Sequence, residues 1–173
     1  MKEKKLTVLA LGSNLGDRQA NLSRGLALLG GVMDIKECSC IYESGPILPE
    51  TVSAGDGLDY YNCVLFGETE LDPRELLEYC NRTENEITGQ QRQKGLNLPR
   101  FLDIDIISYG DEVINQDDLH IPHLKMAERY FVLMPLADIM PQWRHPVSRK
   151  TAGMLLNEIA ETQKIKKLDI KPV

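Results

Sequence analysis

The chain has 173 residues, 42% of them hydrophobic and 27% charged, which is enough apolar material for one domain with a substantial core and argues against two. A formal net charge of -6 excludes nucleic acid and anionic membrane surfaces as partners, because those attract an excess of Lys and Arg; a polyanionic ligand must meet a local basic cluster. No stretch reaches the roughly 18 apolar residues of a membrane span, and the first residues lead into a strand-like run without a signal-peptide core, so a cytoplasmic protein is expected.

Residues 6–11 form an apolar run that breaks at Gly12-Ser13-Asn14, as a buried strand does where it leaves a sheet. Asp17 is placed to cap a helix carrying Leu22, Leu26 and Leu29, and Gly30-Gly31 supplies its stop. Residues 35–42 and 60–69 read as strands with a long loop between them. At Asp72-Pro73-Arg74-Glu75 an N-cap, a first-turn proline and a capping-box carboxylate coincide, and Leu76, Leu77, Cys80 and Ile87 then share one helical face. A polar loop over 89–99 precedes a strand over 101–109, and Gly110-Asp111 predicts a hairpin into Val113 and Ile114. Short helices are expected near 126–130 and over 151–161. The interleaved order favours an α+β sandwich, with helices covering a mainly antiparallel sheet, over the whole of 1–173; the tail 162–173 has no assigned role. Cys38, Cys40, Cys63 and Cys80 lack paired C-x-x-C spacing and read as reduced structural thiols.

The sharpest chemical signal is Asp103-Ile104-Asp105. Residues two apart on a strand share a face, so both carboxylates point one way while Ile104 and Ile106 enter the opposite layer. Two bare carboxylates repel, and a hard divalent cation that also takes phosphate oxygens and water relieves them; Mg²⁺ suits that donor set. The competing reading is a solvent-facing edge with two acids. Arg100, with Arg92 and Lys94 in the preceding loop, shifts the balance toward a metal nucleotide, since guanidinium groups bind phosphate oxygens through paired donors. His120-Ile121-Pro122-His123 is a poor zinc site, as Pro122 interrupts a helix and no third ligand accompanies the pair. The Gly12 to Asp17 turn lacks a P-loop ending and reads as a turn and cap. Tyr60 and Asn62 share a strand face, pairing a flat aromatic with an amide that both donates and accepts.

In order along the chain, Leu11-Gly12-Ser13-Asn14-Leu15-Gly16, Asp59-Tyr60-Tyr61-Asn62, Pro99-Arg100-Phe101-Leu102-Asp103-Ile104-Asp105, Ile121-Pro122-His123 and the segment from Arg129 through Phe131 to Leu136 resemble the 6-hydroxymethyl-7,8-dihydropterin pyrophosphokinase family. The resemblance implies a ferredoxin-like fold and transfer of pyrophosphate from ATP to the hydroxymethyl group of 6-hydroxymethyl-7,8-dihydropterin, with release of AMP, in folate biosynthesis. It further implies two Mg²⁺ ions on Asp103 and Asp105; from its place beside the metals, Asp105 could also orient the attacking hydroxyl, through a metal or directly. The pterin would lie between Tyr60 and Phe131, its edge met by Asn62 and by backbone around Ser44, Gly45, Pro46 and Ile47. Glu84, Arg92, His123 and Arg129 would face ATP, and Arg100 with Arg92 the transferring phosphates. A monomer is expected. The chain departs from the family at Gly89-Gln90, where Gly-Arg is usual, and at Leu96-Asn97-Leu98, where an aromatic is usual, and it carries one extra residue between Glu84 and Gly89. A silent binding homologue and a metal-dependent nucleotide hydrolase remain as alternatives at this point.

Overall fold

The computed structural model describes residues 3–45, 59–89, 99–159 and 164–172. Its elements in order are β1 (Lys5–Ser13), α1 (Arg18–Leu29), β2 (Met33–Cys38), β3 (Tyr42–Ser44), β4 (Tyr60–Thr69), α2 (Pro73–Thr88), β5 (Asp103–Tyr109), β6 (Ile114–Gln116), β7 (Leu119–Ile121), a 3-10 turn at Met126–Glu128, α3 (Tyr130–Ile139), α4 (Ala152–Leu156) and β8 (Ile165–Lys167). The main sheet runs β5-β1-β4-β3-β8, with every pairing antiparallel. β2 lies along the C-terminal half of β4, and β3 along its N-terminal half. This order, with α1 and α2 as the crossovers, is the ferredoxin-like α+β sandwich.

Residues 8–11 of β1 are apolar without a break because both faces of the strand are covered there. Leu9 and Leu11 enter a core with Leu22 and Leu29 of α1, Leu76 and Cys80 of α2, and Ile104 and Ile106 of β5. Val8 and Ala10 face the other way, into a second core with Ile107, Val132, Leu133, Leu136 and Leu155. Leu9, Leu22, Leu65, Leu76 and Leu133 are fully buried, each worth about 1.5–3 kcal/mol relative to exposure.

Local signals are obeyed closely. Asp17 accepts from the Ala20 amide at 3.0 Å, Asp72 accepts from both Arg74 and Glu75 amides, and the Glu75 carboxylate reaches back to the Asp72 amide at 2.9 Å. Gly89 closes α2 with φ 71, a left-handed value suited to glycine.

Several elements differ from expectation. β1 continues through Gly12 and Ser13 rather than stopping before them. The strand expected over 35–42 is two strands, because at the break the Ser39 hydroxyl accepts from the Val64 amide at 3.0 Å, taking the place of a main-chain carbonyl. β6 pairs with β7 and not with β5, so Gly110 (φ 52) makes a turn without making the expected hairpin. Phe101 and Leu102 precede β5, whose ladder begins opposite Gly12. The helical stretch near 126–130 is only a 3-10 turn leading into α3, which is apolar on nearly all sides and contains Pro135. α4 ends at Leu156 within the described residues, well short of 161. The tail is not idle: β8 extends the sheet beyond β3. Cys38, Cys63 and Cys80 are buried, and all four cysteines are free. Among the described residues no helix is long and apolar enough to cross a membrane.

Candidate active site

The pairing register builds the site. Asp103 of β5 stands opposite Gly12 of β1, Gly12 opposite Asn62 of β4, and Asn62 opposite Tyr42 of β3, which makes one row across four strands. Strands lie about 4.8 Å apart, so the acid and the amide are separated by roughly 10 Å of sheet whose middle position has no side chain. A Cβ on Gly12 would come within 3.3 Å of Asn62 Oδ1 and 3.6 Å of the Tyr60 ring. Gly12 thus keeps a lane open between the acidic pair and the Tyr60–Asn62 face. Its neighbours in sequence suggest a turn; the register places it inside β1, level with Asp103 and Asn62.

Asp103 and Asp105 are both about three-quarters shielded, with side chains 25% and 27% exposed, and each is met by arginine. Arg100 Nη1 donates to Asp103 Oδ1. Arg129 Nη1 donates to Asp105 Oδ2 at 3.0 Å, and its guanidinium also lies 5.6 Å from the centroid of Phe131. Burial works against the Arg100 charge, but the Asp103 carboxylate outweighs it and raises the Arg100 pKa further. Among the described residues there is no cluster of three His, Cys, Asp or Glu fit to enclose a metal. Two neighbouring carboxylates on an open face nevertheless suit Mg²⁺, which fills its remaining positions with phosphate oxygens and water.

Four contacts hold these charges in place. The Arg100 amide donates to Asn14 Oδ1 at 2.6 Å while the Asn14 amide donates to the Arg100 carbonyl at 3.0 Å, so the turn after β1 grips the segment before β5. Gly16, at φ 67, lets the Phe101 ring approach to 3.0 Å from where a Cβ would be. Glu84, only 3% exposed, accepts from the Ile104 amide at 2.7 Å. The resemblance places this carboxylate toward a nucleotide; here one of its oxygens meets the main-chain amide that lies between the two aspartates on β5. One helical turn earlier, burial aided by the Glu84 and Asp105 carboxylates pushes the Cys80 thiol up to about 12.

His123 arrives by a different route. Leu9 faces Ile106 but Val8 faces Ser108, leaving Ile107 extra in the ladder, and its carbonyl accepts from the His123 amide at 3.0 Å. The imidazole Nδ1 accepts from the Lys125 amide at 3.2 Å, while Nε2 points toward Asp105 Oδ2 at 3.8 Å. Burial lowers the His123 pKa, against the pull of Asp105 and with the push of Arg129, so a neutral ring with Nε2–H aimed at the acid face is favoured at neutral pH. Asp105, His123 and Arg129, together with Leu77, Asn81 and His120, line a cavity of about 510 Å³.

On the opposite flank, Asn62 is 4% exposed and donates to Ser44 Oγ at 2.9 Å and to the Tyr42 carbonyl at 3.3 Å. Burial raises the Tyr60 pKa, with Arg100 and Asp103 acting in opposite senses, so the phenol stays neutral. α3, which carries Phe131, packs on β3 and β4. Arg18 Nη1 reaches Glu43 at 3.2 Å and the Asp59 carbonyl at 2.8 Å, and its guanidinium lies 3.7 Å from the Tyr61 ring centroid, pinning both chain ends beside residues 46–58. Pro46, Ile47, Gln90, Arg92, Lys94 and Asn97 lie outside the described residues.

A ferredoxin-like sandwich with an acidic pair, flanking arginines and an aromatic–amide face on one side of its sheet is the framework of a phosphoryl-transfer enzyme that pairs a metal nucleotide with a flat second substrate. The sequence profile of the family described as 7,8-dihydro-6-hydroxymethylpterin-pyrophosphokinase matches residues 8–141. The 2-amino-4-hydroxy-6-hydroxymethyldihydropteridine pyrophosphokinase of Bacillus subtilis is 38% identical over 139 residues, covering 79% of this chain and 79% of its own length. That of Aquifex aeolicus is 37% identical over 142 residues, covering 82% and 84%. A folic acid synthesis protein of Dictyostelium discoideum is 37% identical over 150 residues, covering 87% of this chain and 22% of its own length. Wild-type Plasmodium falciparum HPPK-DHPS, solved with pteroate, superposes with a TM-score of 0.71 at 18% identity over 91% of this chain and 43% of that one, a likeness of fold. The chain belongs to the 6-hydroxymethyl-7,8-dihydropterin pyrophosphokinase family, the ATP-dependent diphosphotransferases of folate synthesis.

Proposed function

We propose that this chain transfers pyrophosphate from ATP to 6-hydroxymethyl-7,8-dihydropterin on the sheet face that runs from Asp103 and Asp105 past Gly12 to Asn62. The observation that carries this reading is the register row, which puts an open position between a cation-binding pair and an aromatic–amide face. The pterin ring lies between Tyr60 and Phe131, with Asn62 and the backbone near Ser44, Gly45, Pro46 and Ile47 at its edge. Its hydroxymethyl group then extends over Gly12 toward the acids.

ATP enters from the cavity beside Asp105, where His123 offers its Nε2–H and Arg129 its guanidinium to phosphate oxygens. Arg92 belongs to this nucleotide side. Two Mg²⁺ ions on Asp103 and Asp105 would neutralise charge on the transferring group and on the departing phosphate oxygen. Arg100 and Arg129 hold the carboxylates until the nucleotide arrives and then turn to the phosphates. The hydroxyl oxygen forms a bond to the β-phosphorus in line, the bond from that phosphorus to the α,β-bridging oxygen breaks, and AMP leaves while the hydroxyl proton is lost. Asp105 orients the attacking hydroxyl, and Glu84 acts at one remove by fixing the Ile104 amide between the two acids. A monomeric, cytoplasmic enzyme remains part of the proposal.

Asp103→Asn and Asp105→Asn test the assignment. Each removes one charge from the pair without changing its shape, so turnover should fall to background while the thermal midpoint moves by only a few degrees. A variant that turns over at close to the wild-type rate would remove that aspartate from the site.

A further inference from the structure

The two walls proposed for the pterin slot belong to different elements. Tyr60 and Asn62 stand on β4, and Phe131 stands on α3, so the slot is only as well defined as the seating of α3 on the sheet. At its start α3 is tied down by Arg129 on Asp105. Seven residues after Phe131, and therefore on the same helical face, Asp138 Oδ2 accepts from both the Tyr42 hydroxyl and Lys167 Nζ. Tyr42 is 1% exposed and stands directly opposite Asn62 in the β3–β4 ladder, so its ring neighbours the Asn62 side chain. Lys167 stands opposite Tyr42 on β8, with Nζ 5.8 Å from the Tyr42 ring centroid.

We infer that Tyr42, Asp138 and Lys167 form a clamp that sets the distance of α3 from the Asn62 face, making the C-terminal strand β8 a positioning element for the pterin substrate. The inference rests on the pterin site proposed above. β8 is well seated for this role: Ile165 pairs with Ser44, the Ile41 amide donates to the Ile170 carbonyl at 2.9 Å, and the Leu168 amide donates to the Ile41 carbonyl at 2.8 Å. A phenol as buried as that of Tyr42 needs an acceptor, and Asp138 provides it as a carboxylate: burial opposes its charge, while the Lys167 and Tyr42 hydrogen bonds hold its pKa below the usual range. The Lys167 and Asp138 side chains are 47% and 42% exposed, so their ion pair adds little to stability. What it can do is fix the far end of a helix whose near end is already fixed. Nothing in the clamp touches the cavity that receives ATP.

The test is steady-state kinetics of Asp138→Asn, Lys167→Met and Lys167→Arg, with both substrates varied, alongside thermal melting and calorimetric titration with the pterin alcohol. In Asp138→Asn and Lys167→Met the KM for the pterin alcohol should rise about three- to tenfold, as expected for one weakened charge-assisted contact. The KM for ATP and kcat should stay within about twofold of wild type. Lys167→Arg, which keeps the charge, should recover the pterin KM. An unchanged pterin KM in the first two variants overturns the clamp, and so does a parallel rise in both KM values with a lowered melting point, which marks a merely structural role. If wild-type protein itself gives no heat with the pterin alcohol, the pterin site fails, and the clamp with it.

Discussion

Gly12→Ala is the most direct perturbation of the open lane. Its φ lies outside the left-handed region, so alanine can take the same backbone shape, and the added methyl lands 3.3 Å from Asn62 Oδ1 and 3.6 Å from the Tyr60 ring. Asn62 cannot swing aside cheaply, because its amide nitrogen is committed to Ser44 Oγ and the Tyr42 carbonyl. The methyl also occupies the space between the row's acid and its amide, where the hydroxymethyl group would lie. A methyl forced into a filled site costs about 1–2 kcal/mol, or roughly five- to thirtyfold in Kd for the pterin alcohol. Folding should barely register the change, since losing a glycine from the unfolded chain returns about 0.4–1 kcal/mol against the tight contact. Calorimetric titration with the pterin alcohol and, separately, with a non-hydrolysable ATP analogue reads both effects. Pterin affinity should drop by the stated factor, with nucleotide affinity unchanged. Equal pterin affinity in mutant and wild type would refute the claim that this lane is the path between the substrates.

Arg100→Ala should lower kcat by at least about a hundredfold with little change in ATP affinity, because a preplaced arginine on a transferring phosphoryl group is worth roughly 10³–10⁵ in rate. Arg92→Ala should act chiefly on nucleotide binding and Gln90→Arg should raise kcat; single-turnover kinetics decide, and an Arg100→Ala enzyme as fast as wild type removes Arg100 from the reaction. The pH dependence of stability follows from His123, whose folded pKa is depressed by burial below 6.5. The unfolded chain takes up that proton first, so this contribution is present above the unfolded pKa and is lost as pH falls through the folded one. Between about pH 7.5 and 5.5 the denaturant midpoint should therefore fall, and less steeply in His123→Gln, with His145, lowered likewise by burial, supplying the remainder. Identical slopes in the two proteins would contradict the buried neutral imidazole.

What the sequence disclosed and what it withheld divide by range. The capping box at Asp72 to Glu75 is written in four neighbouring residues and forms as they predict. The Asp103-Ile104-Asp105 pattern is equally local, and the strand period places Ile104 and Ile106 in the core and the acids outside it. α3 leaves no period in the sequence because its residues are apolar on nearly all sides, and Pro135 argues locally against a helix. The break between β2 and β3 depends on one hydroxyl, Ser39, meeting an amide 25 positions away. The roles of Gly12, Asn14 and Glu84 come from register and from contacts across the sheet, which no short window of residues contains. β8 reads as a charged tail until its partner strand is known; among the described residues its only ladder is with β3.

In the proposed reaction the attacking oxygen belongs to the pterin alcohol and the β-phosphorus receives it. Quantifying AMP, ADP and pterin diphosphate after incubation with ATP, with and without the pterin alcohol and with and without Mg²⁺, tests it most directly. AMP and pterin diphosphate should form in equal amounts, and only when pterin alcohol and Mg²⁺ are both present. ADP as the nucleotide product, or AMP formed without the pterin alcohol, would contradict it.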